Sequence, residues 1–96
     1  MTSELIFSRI KTRDGYIAFK TPYSVVVQER GGELFASDLR LSLFAFGRNL
    51  EELQREINSE LTFMWEHIAC EDDEALTADA KVIKSWLREN LVLTRF

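Results

Sequence analysis

The chain has 96 residues, of which 46% are hydrophobic, and it carries a formal net charge of −4 at pH 7. This length predicts one domain over residues 1–96 that buries its own core, and no apolar run reaches the ~18 residues of a membrane helix. A pI near 5.0 argues against direct nucleic-acid binding, while the single Cys70 and a start without a signal-peptide pattern predict a cytoplasmic protein.

The first half of the chain, residues 4–46, has the pattern of an antiparallel sheet of three to five strands. A strand over Glu4–Lys11 leads into Arg13-Asp14-Gly15, where Asp-Gly accepts the positive φ of a tight hairpin turn. Tyr16–Lys20 is the predicted return strand. Thr21-Pro22 interrupts it, because proline is confined to sheet edges, bulges and strand starts.

The next strands are predicted around a second hairpin. Tyr23–Glu29 is centred on three consecutive valines, and the Gly31-Gly32 pair supplies the turn after it. Glu33–Asp38 and Leu39–Phe46 follow, either as two strands or as one bent strand. Alternation of side chains predicts two opposite faces in the last segment, with Leu39, Leu41 and Leu43 on one and Phe44 and Phe46 on the other.

The longest predicted helix begins at Leu50 and ends near Ile68. Asn49 is a suitable N-cap residue, and Glu52 three residues later completes a capping box. One apolar stripe recurs at helical spacing and is expected to pack on the sheet. Its members are Leu50, Leu53, Ile57, Leu61, Met64, Trp65 and Ile68.

This helical region is strongly acidic. Residues 49–74 hold nine Asp or Glu and one basic residue, so the segment carries about −8 and the rest of the chain about +4. Glu52, Glu56 and Glu60 lie four residues apart, a spacing at which like charges destabilise an isolated helix. A basic partner lying along this side explains the spacing. The alternative is a solvated face whose first acids are stabilised by the helix dipole.

Phe63 falls among these acids on the helical wheel, away from the apolar stripe. A large aromatic side chain in that position needs a cover. One interpretation is burial under the second helix. The other is contact with another chain, because aromatic residues are enriched in protein interfaces.

The C-terminal third is predicted to be a second helix and a tail. After the acidic loop Glu71–Glu74, Thr77 caps a helix from about Ala78 to Asn90, whose stripe is Ala80, Ile83 and Leu87 with Val82 and Trp86 beside it. The apolar tail Leu91–Phe96 has strand character and is expected to join a sheet edge or to pack across a homodimer interface. Strands followed by helices predict an α+β fold, an antiparallel sheet covered by helices at about 50–68 and 78–90.

No catalytic, cofactor-binding or metal site is predicted. His67 has no second His or Cys at zinc-ligand spacing, and Cys70 lies among acids, an unfavourable setting for a thiolate nucleophile. Gly31-Gly32 lacks the pattern of a phosphate-binding loop. Glu71–Glu74 lacks the order of a calcium loop and is expected only to separate two helices. The protein is therefore not expected to be an enzyme.

Two stretches of the chain resemble the core of the HicB family of antitoxins. These are Tyr23–Leu39 and Gly47–Leu53, and the likeness extends over about residues 16–69. In that family a strand, a hairpin, two further strands and a helix beginning with a Leu-Glu-Glu motif build a partial RNase H-like sheet. Arg40-Leu41 stands where the family often has Pro-Gly. The C-terminal DNA-binding module that many family members carry is not expected here.

The resemblance implies a toxin–antitoxin role, in which this chain would mask a small basic toxin-like protein. A stand-alone homodimeric module is the alternative, and a metal-dependent nuclease remnant using Asp38, Glu52 and Asp72 is a weaker one. The residues expected to bind a partner are Glu52, Glu56, Glu60, Phe63, Phe44, Phe46 and Phe96.

Overall fold

The computed structural model describes residues 2–12 and 15–95, and it has the predicted α+β fold. An antiparallel sheet is followed by two helices, and a last strand returns to the sheet. The elements are β1 (Thr2–Thr12), β2 (Gly15–Arg30), β3 (Glu33–Asp38), β4 (Leu43–Gly47), α1 (Leu50–Met64), α2 (Ala78–Asn90) and β5 (Leu91–Arg95).

The long strand β2 organises the sheet. It pairs with β1 along one side, while its other side pairs with β5 near its start and with β3 near its end. β4 then pairs with β3, so the main path is β1-β2-β3-β4. The apolar tail is therefore a strand, as predicted. It joins a sheet edge of its own chain, because the backbone partner on one side of β5 is the start of β2.

β2 passes through Pro22 without ending, which corrects the prediction of two separate strands. Phe7 pairs with Tyr23, whereas Arg9, only two residues further, pairs with Ala18. The extra residues of β2 form an irregularity around Pro22, where a proline that lacks a backbone N–H is tolerated.

The hairpins are held by local backbone chemistry. Gly31 and Gly32 adopt φ of 62° and 83°, values that side-chain-bearing residues rarely adopt, and they connect β2 to β3 as predicted. Arg13-Asp14, the other predicted turn, lies outside the described residues. On either side of it Thr12 pairs with Gly15.

β3 and β4 are two strands, which decides between the alternatives left by the sequence. The turn between them begins after Asp38, with Leu41 N donating to Asp38 O at 3.1 Å. Leu39 lies at its tip and is 81% exposed, so its predicted place beside Leu41 and Leu43 is wrong. The alternation holds only from Leu43, where the strand begins.

The α1 helix begins at its predicted cap, where Asn49 Oδ1 accepts a hydrogen bond from Glu52 N at 2.8 Å. Its fully buried stripe is Leu53, Ile57, Leu61 and Met64. Leu50, expected in that stripe, is 48% exposed because it precedes the first turn that contacts the sheet.

The predicted helix end at Ile68 needs a correction. The α-helical geometry stops at Met64, and Trp65–Ala69 form a π-helical turn. Trp65 and Ile68 are only partly buried, at the edge of the core. The Arg88 side chain donates from Nε to the Ala69 carbonyl at 2.9 Å, so α2 supplies a partner to a backbone group at the end of this turn.

The second helix is also capped as predicted, with Thr77 Oγ1 accepting from Ala80 N at 3.2 Å. Ile83 and Leu87 are buried, whereas Val82 is exposed. α2 contacts the π-helical turn, β2 and β5, while α1 lies against β4, β1 and β3. Both helices therefore share one face of the sheet and leave the other face open.

Candidate partner-binding surfaces

Five side chains line one flank of α1, beside its buried stripe, and we call them the acidic helix face. They extend from the first turn of α1 into the π-helical turn, and they recur at helical spacing. The members are Glu52, Glu56, Glu60, Phe63 and His67.

Phe63 is not covered by the second helix, so the burial interpretation is wrong. Its side chain is 58% exposed, and its closest ring neighbour is His67, at 4.5 Å between ring centroids. Both belong to the same helical segment, one turn apart. The aromatic ring therefore remains more than half exposed beside the glutamates of α1.

The opposite flank of α1 is bound to β1. Asn58 Oδ1 accepts from Lys11 N at 3.2 Å, and Thr62 Oγ1 donates to Lys11 O at 3.1 Å. These bonds satisfy backbone groups of an edge strand that would otherwise face solvent. The acidic helix face lies on the other flank of α1, where Glu56, Phe63 and His67 are exposed.

A second surface lies on the open side of the sheet. Because Leu43 and Ala45 point into the core, Phe44 and Phe46 emerge on the other face, 55% and 60% exposed. The Phe35 ring, on β3, stacks on Phe46 at 6.2 Å between centroids. We call this surface the open sheet face. A shallow groove of about 300 Å³ runs through it, lined by Arg30, Glu33, Phe35, Ser37, Phe44 and Phe46.

The predicted partner-binding residues thus fall into two groups instead of one site. Phe44 and Phe46 belong to the open sheet face, whereas the glutamates and Phe63 belong to α1 in the helix layer. The two groups lie on opposite sides of the sheet. Phe96 lies outside the described residues.

A polar cluster at the β3–β4 turn was not anticipated from the sequence. Asp38 Oδ2 accepts from Tyr23 OH at 2.8 Å and from Arg40 Nη2 at 2.9 Å, while Oδ1 accepts from Arg40 N and Nε. The Arg40 guanidinium also lies 5.6 Å from the ring centroid of Trp86 on α2. The Asp38-x-Arg40 spacing could have predicted this turn, because an aspartate side chain can accept a hydrogen bond from the backbone N–H two residues later.

The cluster shifts the titration of its members. Burial raises the pKa of Tyr23 well above its ordinary value, and the hydrogen bond to Asp38 raises it further. Partial burial raises the pKa of Asp38, but hydrogen bonds from Arg40 and Tyr23 outweigh it, and the net pKa of Asp38 is lowered. Asp38 therefore acts as an ionised acceptor that fixes the turn to β2.

The acids of the nuclease interpretation are not gathered. Among residues 2–12 and 15–95, no group of three His, Cys, Asp or Glu side chains is placed to hold a metal ion, which includes Asp38, Glu52 and Asp72. Cys70 is a free, exposed thiol. In the same part of the chain, none of the helices combines the length and the apolar character needed to cross a membrane.

Comparisons with known proteins add no relative: no family model, curated protein or solved structure matches the chain.

Proposed function

We propose that this chain is a non-catalytic interaction module of the HicB-like antitoxin type, which acts in the cytoplasm and binds and masks a small basic protein. The acidic helix face would be the docking surface. The observation that carries this proposal is the exposure of Phe63, whose side chain is 58% exposed one helical turn beyond Glu60.

The chemistry of the surface supports a basic partner. Glu52, Glu56 and Glu60 repel one another along the helix, and a cationic surface laid against them relieves that repulsion. Phe63 adds an aromatic anchor inside the charged rim, the arrangement in which interface residues contribute most. A cation of the partner can also lie over the ring.

The order of elements supports the family resemblance. β2, the Gly31-Gly32 hairpin, β3, β4 and a helix that begins with Leu50-Glu51-Glu52 follow one another as the HicB pattern implies. The exposed thiol of Cys70 fits a reducing compartment.

The proposal is tested by capturing partners from native lysate with the tagged full chain, its Phe63→Ser variant and a Val82→Ser control. Val82 is a matched control because it is also exposed on a helix, at 65%, but lies outside the acidic helix face. We expect a small basic protein to be retained by the wild type and by Val82→Ser, to be lost with Phe63→Ser, and to elute as salt is raised. Equal retention by all three chains, or capture of no basic protein, contradicts the proposal.

A further inference from the structure

We propose that the open sheet face is the contact between two copies of this chain, which pack sheet against sheet around a two-fold axis. This surface is separate from the acidic helix face and would serve a different partner. The inference therefore stands independently of the proposed function.

The open sheet face carries apolar side chains on four neighbouring strands. Ile6 on β1 and Val26 on β2 are exposed at one end, and Phe44 and Phe46 on β4 are exposed at the other. Phe35 on β3 lies between them: it pairs with Phe46 of β4, and its β2 partner Gln28 is two residues from Val26 on the same face. Exposed apolar side chains grouped in this way mark a contact site, whereas single exposed residues do not.

The charges around these apolar side chains favour a copy of the chain as the occupant. Arg30 and Glu33 are cross-strand partners on this face, and Glu4 lies opposite Val26 on β1. A two-fold contact requires a surface complementary to itself, and a rim with both signs of charge meets that condition. A strongly basic partner finds its complement on the acidic helix face instead, where three of the five side chains are glutamates.

The size of the surface fits a stable dimer. The molecule measures 41 × 33 × 21 Å, and the short dimension corresponds to one sheet and one helix layer. The open sheet face lies on one of the two broad sides, whose outline of 41 × 33 Å leaves room for the ~800 Å² per partner of a standard interface. Two sheets stacked at about 10 Å interdigitate their side chains as in a β-sandwich.

This arrangement leaves the rest of the molecule accessible. Both helices lie on the far side of each sheet, so the two acidic helix faces of the dimer point outward. The Phe44 and Phe46 rings, which the chain itself leaves exposed, become the centre of the buried contact.

The test is analytical ultracentrifugation of the full chain with a Phe44→Ser/Phe46→Ser variant and a Phe63→Ser control. Phe63 is the matched control because its exposure, 58%, is close to theirs and it lies on the helix layer. We expect a dimer for the wild type and the control at ~100 µM, and a dissociation constant at least ~10-fold weaker for the double variant. Thermal melting establishes that the variants are folded.

Three outcomes overturn the inference: a wild-type monomer at ~100 µM, equal dimerisation by the double variant, or binding of the wild type to phosphatidylserine vesicles through these residues. Should the double variant unfold, dilution of the wild type followed by amide NMR decides the question. Concentration-dependent shifts confined to β3 and β4 support the sheet contact, and shifts confined to α1 contradict it.

Discussion

At the scale of single residues, Asp38 connects two distant parts of the sheet. It bonds Tyr23 of β2 and Arg40 of its own turn. Replacing Asp38 with Ala leaves the half-buried Tyr23 hydroxyl without its acceptor. We expect a loss of about 1–3 kcal/mol in the free energy of unfolding, measured by urea denaturation. Arg40→Ala serves as the comparison. Because the Arg40 side chain is 64% exposed, we expect a smaller loss of stability from its removal.

The same cluster predicts that the stability of the fold decreases at both low and high pH. Because the pKa of Asp38 is lowered in the fold, its stabilisation is present above the ordinary value of 3.8 and is lost as pH falls below it. Because the pKa of Tyr23 is raised, its stabilisation is present below the ordinary value of 10.0 and is lost as pH rises beyond it. The free energy of unfolding, measured with urea across pH, should fall at both acid and alkaline pH in the wild type. The fall at acid pH should be smaller in Asp38→Asn. An equal loss of stability at acid pH in the variant and the wild type would show that Asp38 does not cause it.

At the scale of elements, the local signals were predictable and the distant contacts were not. The caps at Asn49 and Thr77 depend on residues within three positions, and both lie where the sequence placed them. The position of β5 beside β2 depends on contacts between residues 15–19 and 91–95, which no local pattern records. The exposure of Phe63 likewise depends on where α2 lies after an intervening loop.

The buried stripe of α1 gives the most direct stability prediction. Leu61 is completely buried, so Leu61→Ala should destabilise the protein by about 2–5 kcal/mol through lost burial and a residual cavity. Leu50→Ala is the matched control, because it is the same substitution in the same helix at a residue that is 48% exposed. We expect its melting temperature to stay near that of the wild type. Similar melting temperatures for the two variants would show that the assigned face is wrong.

The junction between β4 and α1 depends on Gly47. A Cβ at this position would lie 2.6 Å from the backbone nitrogen of Leu53, a distance that requires the helix to move. Gly47→Ala should therefore lower the melting temperature although it adds only one methyl group. Gly31→Ala instead tests backbone strain, because a Cβ at Gly31 meets no atom within 4 Å but the φ angle is 62°. A Gly47→Ala variant as stable as the wild type would contradict the close packing of α1.

At the scale of the whole molecule, one sheet separates two surfaces of different chemistry. The fold class was predictable, since strands precede helices along the chain and hydrophobic periodicity changes near Asn49. The division of the predicted partner-binding residues between two surfaces was not predictable, because it depends on which face of β4 the helices cover. Phe44 and Phe46 therefore belong to a different contact from Glu52, Glu56 and Glu60.

The central claim, that the acidic helix face receives a basic partner, is tested most directly by association rates measured in stopped flow with the captured partner. The test variant carries Glu52→Gln, Glu56→Gln and Glu60→Gln. The matched control removes the same charge elsewhere, through Asp72→Asn, Glu74→Gln and Glu89→Gln at exposed positions.

We expect the test variant to associate at least ~10-fold more slowly than the control at low salt, with the difference shrinking as salt rises and with thermal stability unchanged. Equal rates for the two variants would contradict the claim.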